Sequence, residues 1–183
     1  MKSHISHLVL DDLTREGKAA AMRWRIFTDR VMGGVSRATA SLEDVEGIQA
    51  LRLQGTVSLD RGGGFIQMVR RLDEGGGSLD GRAHRGIAVM VHRGGAVDPA
   101  SSPEGAHRYF LHLRTPQTRA PWAYFRAPLP VADRWSTTLV TWSQFEPQGL
   151  RMPLDTSELL RLGIVAGQAA FEADLAVAWV GLV

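Results

Sequence analysis

The spacing of the apolar residues constrains this chain more than any other feature. They alternate with other residues over short runs, and glycine, proline or aspartate then breaks the run. Ile87, Val89 and Val91 alternate with Ala88, Met90 and His92. Tyr109, Leu111 and Leu113 alternate with Arg108, Phe110, His112 and Arg114, and Leu175, Val177 and Trp179 alternate with Asp174, Ala176 and Ala178. A period of two marks a strand with one buried face. Similar runs fall at Leu8–Leu10, Arg23–Phe27, Ser36–Ser41, Gln49–Leu53, Thr56–Leu59, Gly64–Arg70, Ala123–Arg126, Ser136–Thr141 and Leu162–Ala166. About ten to twelve short strands with glycine-marked turns predict a sandwich or barrel. Helix signals are confined to Leu13–Ala21 and to Asp155–Leu162, the latter as a capped turn or two. Strands and helices do not alternate along the chain, which argues against a doubly wound nucleotide-binding sheet. The expectation is an all-β jelly-roll sandwich, with residues 1–183 as one domain.

A domain of this length buries roughly 70% of its unfolded surface, so it needs no staples. It has none of the covalent kind: the absence of cysteine rules out disulfides, thiolate metal sites and cysteine nucleophiles. No apolar run approaches the ~20 residues that span a bilayer. The opening stretch MKSHISHLVLDDL is cut short by acids and does not read as a secretory signal, so a cytoplasmic setting is expected. A net charge of +2 is too small to hold nucleic acid through bulk charge. The charge is unevenly spread: Arg108, Arg114, Arg119, Arg126 and Arg134 fall in a stretch whose one acid is Asp133.

The usual catalytic and cofactor motifs are missing. There is no GxxxxGK[ST] loop, no GxSxG elbow and no HExxH. Gly62–Gly64 superficially suggests a phosphate cradle, but it leads into a strand at Phe65 and lacks the helix N-terminus such cradles use. His107 and His112 are five apart and would face opposite sides of one strand, so they do not make a metal site. A calcium ion at Asp11 or Asp12 is conceivable, although an acidic strand end explains those residues more simply. No carboxylate pair suggests glycosidase chemistry. The expectation is a protein that is not an enzyme, with no catalytic residue, metal or cofactor.

Two segments carry more information. In Trp24–Ser36, Gly33 and Gly34 follow Val31 and Met32, which predicts a sharp turn or bulge with positive φ. Asp29 can accept N–H bonds across that turn, and Ser36 can do the same as the next strand starts. In Leu53–Phe65 the pattern reads as strand, tight turn, strand, with Phe65 anchoring the returning strand in the core. Two long loops are expected, at Asp73–Gly86 and Arg93–Gly105.

Together these residues resemble a known family. The pattern Asp-x-Val-Met-Gly-Gly-x-Ser at Asp29–Ser36, Gly-x-Val-Ser-Leu at Gly55–Leu59 and Gly-Gly-Gly-Phe at Gly62–Phe65 are similar to the complex I intermediate-associated protein domain. Tyr109–Thr115, Trp135, Trp142–Phe145, Leu154–Asp155 and Leu162–Ile164 continue the resemblance in order, from about 24 to 182. The family's Phe-Arg-Gly-Arg segment is reduced here to Gln148–Arg151. The resemblance implies a galactose-binding-like jelly roll that serves as an assembly factor, a chaperone-like binding module. Its partner would be a protein, such as subunits of a respiratory complex; the alternative is a module that binds a carbohydrate or other small ligand on the concave sheet face.

A jelly roll has one packed face and one free face per sheet. With Tyr109, Leu111 and Leu113 inward, Arg108, Phe110, His112 and Arg114 face out. If Ile87–His92 is the neighbouring hairpin strand, Met90 and His92 line the same surface, with Tyr124 and Arg126 beyond. An aromatic among arginines suits a sugar, an acidic glycan or an acidic protein segment. The candidate binding residues are Asp29, Met32, Gly33, Gly34, Ser36, Phe110, His112, Arg114 and Arg126.

Overall fold

The computed structural model describes residues 7–95 and 108–183. Among the described residues, twelve strands form two antiparallel sheets packed face to face: β1 (Leu8–Asp12), β2 (Arg25–Thr28), β3 (Arg37–Val45), β4 (Ile48–Val57), β5 (Phe65–Arg71), β6 (Gly86–Arg93), β7 (Tyr109–Arg114), β8 (Tyr124–Pro128), β9 (Ser136–Thr141), β10 (Glu146–Gln148), β11 (Arg161–Gly167) and β12 (Phe171–Leu182). The first sheet runs β3-β4-β12-β6-β9, with β1 also paired to β12. The second runs β10-β8-β7-β11-β5-β2. The interior comes from alternate residues of both: Leu53, Val57, Ile87, Val89 and Val91 from one side, Ile66, Met68, Leu111, Leu113, Phe125, Leu162 and Ile164 from the other. Each such side chain contributes about 1.5–3 kcal/mol by leaving water. The fold class is the expected jelly-roll sandwich.

The helical signal at Leu13–Ala21 gives two single turns, α1 (Leu13–Glu16) and α2 (Lys18–Ala21). Asp12 caps the first by accepting from Thr14 and Arg15 N–H, and Leu13 and Ala20 bury themselves in the core.

Five sequence expectations need correction. Asp155–Leu162 is not helical: Asp155 accepts from Ser157 N–H and Oγ–H in a local turn, and Arg161 opens β11. Gln49–Leu53 and Thr56–Leu59 form not two strands but the single β4, because Gly55 lets Arg37 of β3 come close; a Cβ there would lie 2.0 Å from the Arg37 carbonyl. Trp179 does not share a face with Leu175 and Val177, because a bulge between Val177 and Trp179 reverses the alternation and turns Val180 and Leu182 inward. Phe65 is half-buried on the outer side, and Ile66 and Met68 fill the core in its place. The strand β6 does not neighbour β7 but lies in the other sheet, where Met90 and His92 face a small outer cluster roofed by Trp135.

The Asp73–Gly86 loop is tied down by Gly75 and Gly77 N–H on Asp73, by a bridge between Leu79 and Leu159, and by Gly81 N–H on Thr156. Most of the Arg93–Gly105 loop, and His107, lie outside the described residues.

The sheets are clamped by a buried polar cluster. A bulge in β1 between Val9 and Asp11 turns Asp11 inward, where its fully buried carboxylate pairs with Arg70 of β5. Arg23 donates to it at 2.8 Å and Trp24 Nε1 at 3.0 Å. Arg70 also donates to the Leu10 and Arg71 carbonyls. These bonds engage both oxygens of Asp11, while Asp12 uses its Oδ1 as the helix cap. Among the described residues no group of three or more His, Cys, Asp or Glu could hold a metal ion. Removing one member of such a pair strands a buried charge. Asp11→Ala is therefore expected to lose about 3–5 kcal/mol in urea unfolding, while Asp11→Leu combined with Arg70→Met recovers most of that loss.

Candidate functional site

The two glycine-rich segments meet at one carboxylate. Asp29 begins a single 3-10 turn, Asp29–Met32, and is fully buried. Its Oδ1 accepts Ser36 N–H at 3.0 Å, and its Oδ2 accepts Ser36 Oγ–H at 2.5 Å and Gly64 N–H at 2.7 Å. Ser36 Oγ in turn accepts Ser58 N–H at 3.0 Å. Burial pushes the Asp29 carboxyl up, but hydrogen bonds from Ser36, Gly64 and Phe65 together outweigh it and hold its pKa below the usual carboxylate range. Gly34 and Gly63 are needed because a Cβ at either would lie 2.3 Å from Asp29 side-chain atoms. Gly33 is needed for its backbone instead, with φ +88° and open space around it.

This knot raises an apolar tip. Val31, Met32, Val35 and Leu59 are 72%, 62%, 36% and 51% exposed, and Phe27, just before the knot, is 41% exposed. Of the candidates in this region, Asp29, Gly34 and Ser36 are buried and only Met32 and Gly33 reach solvent.

The remaining candidates gather on the outer face of the second sheet. His112 of β7 lies opposite Arg126 of β8 and Gly163 of β11. Its ring stacks on Tyr124 at 4.2 Å, and the Arg126 guanidinium lies 5.1 Å above the Phe110 ring. Gly163 leaves a dip between His112, Gln67 and Val69. Arg114 is half-buried and donates to the Ala120 and Pro121 carbonyls. Arg108 does not join this face: its guanidinium lies 5.1 Å over Phe171, at the end of the sandwich. The residues that sequence reasoning missed are Arg25, Arg71 and Arg161 on the same face and Val31, Val35 and Leu59 at the tip. The three arginines come from strands remote in sequence and meet only through register. The run of apolar residues beside Gly33 was the one available signal for the tip.

Burial is the chief cause that brings the His112 pKa down to about 3, with the charges of Arg126 and Arg114 adding to it. An unfolded histidine titrates near about 6.5, so the unfolded chain binds the extra proton first. Stability from this group is complete above the unfolded value and falls as pH drops from there toward 3. Urea midpoints at pH 7 and pH 5 should show a loss of about 1–2 kcal/mol that His112→Gln lacks. At the knot, Gly34→Ala and Gly63→Ala should each lower stability by about 1–3 kcal/mol through steric conflict. Gly33→Ala should cost only about 1 kcal/mol, for backbone strain alone.

Comparison with known structures agrees with this architecture. A family 11 carbohydrate-binding module from Clostridium thermocellum, solved in complex with a β-1,3-1,4-mixed-linked tetrasaccharide, superposes with a TM-score of 0.71 at 14% identity, over 99% of this chain and 97% of that one. The family 11 module of the cellulosomal cellulase Lic26A-Cel5E of Clostridium thermocellum gives 0.69 at 13% identity, over 99% and 96%. A family 30 carbohydrate-binding module gives 0.55 at 13% identity, over 82% and 91%. At these identities the likeness is one of fold. Among curated proteins no sequence match emerges. The family model for complex I intermediate-associated protein 30 matches residues 14–177. With the knot, the sandwich and that match in agreement, the chain belongs to the complex I intermediate-associated protein 30 family.

Proposed function

We propose that this chain is a non-catalytic binding module that works through protein–protein interaction, with the apolar tip of the Asp29 knot as its contact surface. The observation that carries the reading is the outward presentation of Val31, Met32, Val35 and Leu59 by a backbone that buried hydrogen bonds hold still. Apolar side chains grouped at a surface gain by being covered. A contact loop already ordered before binding loses little entropy when it docks. The family's name supports a partner among the intermediates of a respiratory complex. Such a partner would offer an apolar groove to the tip. The setting we propose is cytoplasmic, which suits a chain without cysteine.

A second reading has its own support. The stacked His112–Tyr124 pair and the Phe110–Arg126 pair form a flat aromatic and cationic surface suited to a sugar ring. A structural neighbour was solved with a bound tetrasaccharide.

The test is native co-purification from the source organism with wild-type chain, Met32→Glu, Val35→Glu and Tyr124→Ala. The expected outcome is a retained protein partner whose affinity falls at least tenfold in Met32→Glu and Val35→Glu, with unchanged thermal midpoints. Loss of no partner in those variants, or no partner at all, overturns the tip as the contact surface. A glycan that stabilises the wild type but not Tyr124→Ala would establish the second reading instead.

A further inference from the structure

The strand β5 starts at the knot and ends, roughly 20 Å away, at a different kind of surface. There Arg71 of β5 lies opposite Arg161 of β11, and Arg161 lies opposite Arg114 of β7. Three arginines therefore stand side by side in one cross-strand row. Like charges directly opposite each other destabilise a sheet. Elsewhere the protein neutralises such residues: Asp174 and Glu43 hold Arg52, and Asp11 holds Arg70 and Arg23. Among the described residues no carboxylate is ion-paired with Arg71, Arg114 or Arg161; the pairs formed there involve Arg23, Arg52, Arg70, Arg82, His92 and Arg134. The acid nearest in sequence, Asp73, accepts the N–H groups of Gly75 and Gly77.

The row also has a shape. It borders a recess of about 240 Å³ lined by Arg71, Arg114, Arg119 and Arg161, with Thr115 and Thr118 alongside. The Arg114 guanidinium is set in place by two backbone carbonyls, at 3.2 Å for Ala120 and 2.5 Å for Pro121. Burial first, and the charge of Arg161 second, hold Arg114 below its ordinary pKa, so an anion in the recess would relieve it.

We infer that this recess binds a tetrahedral oxyanion, a phosphate or sulfate group, either free or as the ester of a small molecule. Guanidinium forks match the oxygens of a tetrahedral oxyanion two at a time. Four arginines converge on this one open recess, where a nucleic-acid surface would need an extended cationic track. The site lies at the other end of β5 from the apolar tip, so it stands or falls independently of the proposed protein contact.

The test is thermal unfolding and titration calorimetry of the full chain with inorganic phosphate and with sulfate, each against chloride at equal ionic strength. At phosphate tenfold above its Kd the midpoint should rise by about 3–6 °C. Arg161→Gln and Arg71→Gln are surface changes; both should fold, with midpoints in chloride equal to or above wild type, and each should weaken phosphate binding at least tenfold. Arg134→Gln, whose side chain is 79% exposed and remote from the row, should bind as wild type. Glucose 6-phosphate binding more tightly than both phosphate and glucose would mark a phosphoester as the ligand, and equal binding would mark the free anion. No oxyanion-specific shift over chloride, or wild-type binding by Arg161→Gln and Arg71→Gln, overturns the inference.

Discussion

A buried carboxylate has to find its hydrogen bonds inside the protein, and Asp29 finds them on two separate glycine-rich segments at once. Much of the local structure follows from that demand. Backbone must approach the carboxylate from both sides, which leaves no room for a side chain at Gly34 or Gly63. Ser36 must relay the connection to Ser58, so the ends of β3 and β4 are held beside the ends of β2 and β5. Since β3 and β4 belong to one sheet and β2 and β5 to the other, the knot is a joint between the two layers. The Asp11–Arg70 cluster is a second joint, and it too engages β5. The strand is thus pinned near both its ends.

That double pinning bears on binding. The outer surface of the second sheet is built on a strand tied at both ends, and among the described residues its side chains meet through stacking and cation–π contacts. The apolar tip sits at one end of β5 and the arginine row at the other. They differ in chemistry: one offers hydrophobic area and the other a concentration of positive charge that the protein itself leaves unanswered. On the two readings proposed above, each ligand would meet a surface that is already present in the folded chain.

The places where sequence reading failed share a cause. The alternation of Leu175, Val177 and Trp179 is real, yet one extra residue in a bulge sent Trp179 to the opposite face. Phe65 looked like a core anchor because it is large and apolar, but register gave the inward positions to its neighbours Ile66 and Met68. Met90 and His92 read as partners of β7 because β6 and β7 are consecutive, whereas these two strands lie in different sheets, unlike the consecutive pairs β3–β4 and β7–β8. Each is a decision about pairing, and pairing depends on contacts between distant residues.

What the sequence determined by itself is therefore local: the period-two runs that demand half-buried strands, the glycines that demand close approach or positive φ, and the ordered motifs that carry the family resemblance. Only the tertiary structure decided which strands are neighbours. It set Gly34 and Gly63 against Asp29, and it brought Arg71, Arg161 and Arg114 into one row. The physical reason is that a side chain's direction follows from its own backbone, whereas the charge or apolar group it meets is chosen by strand order and register across the whole chain.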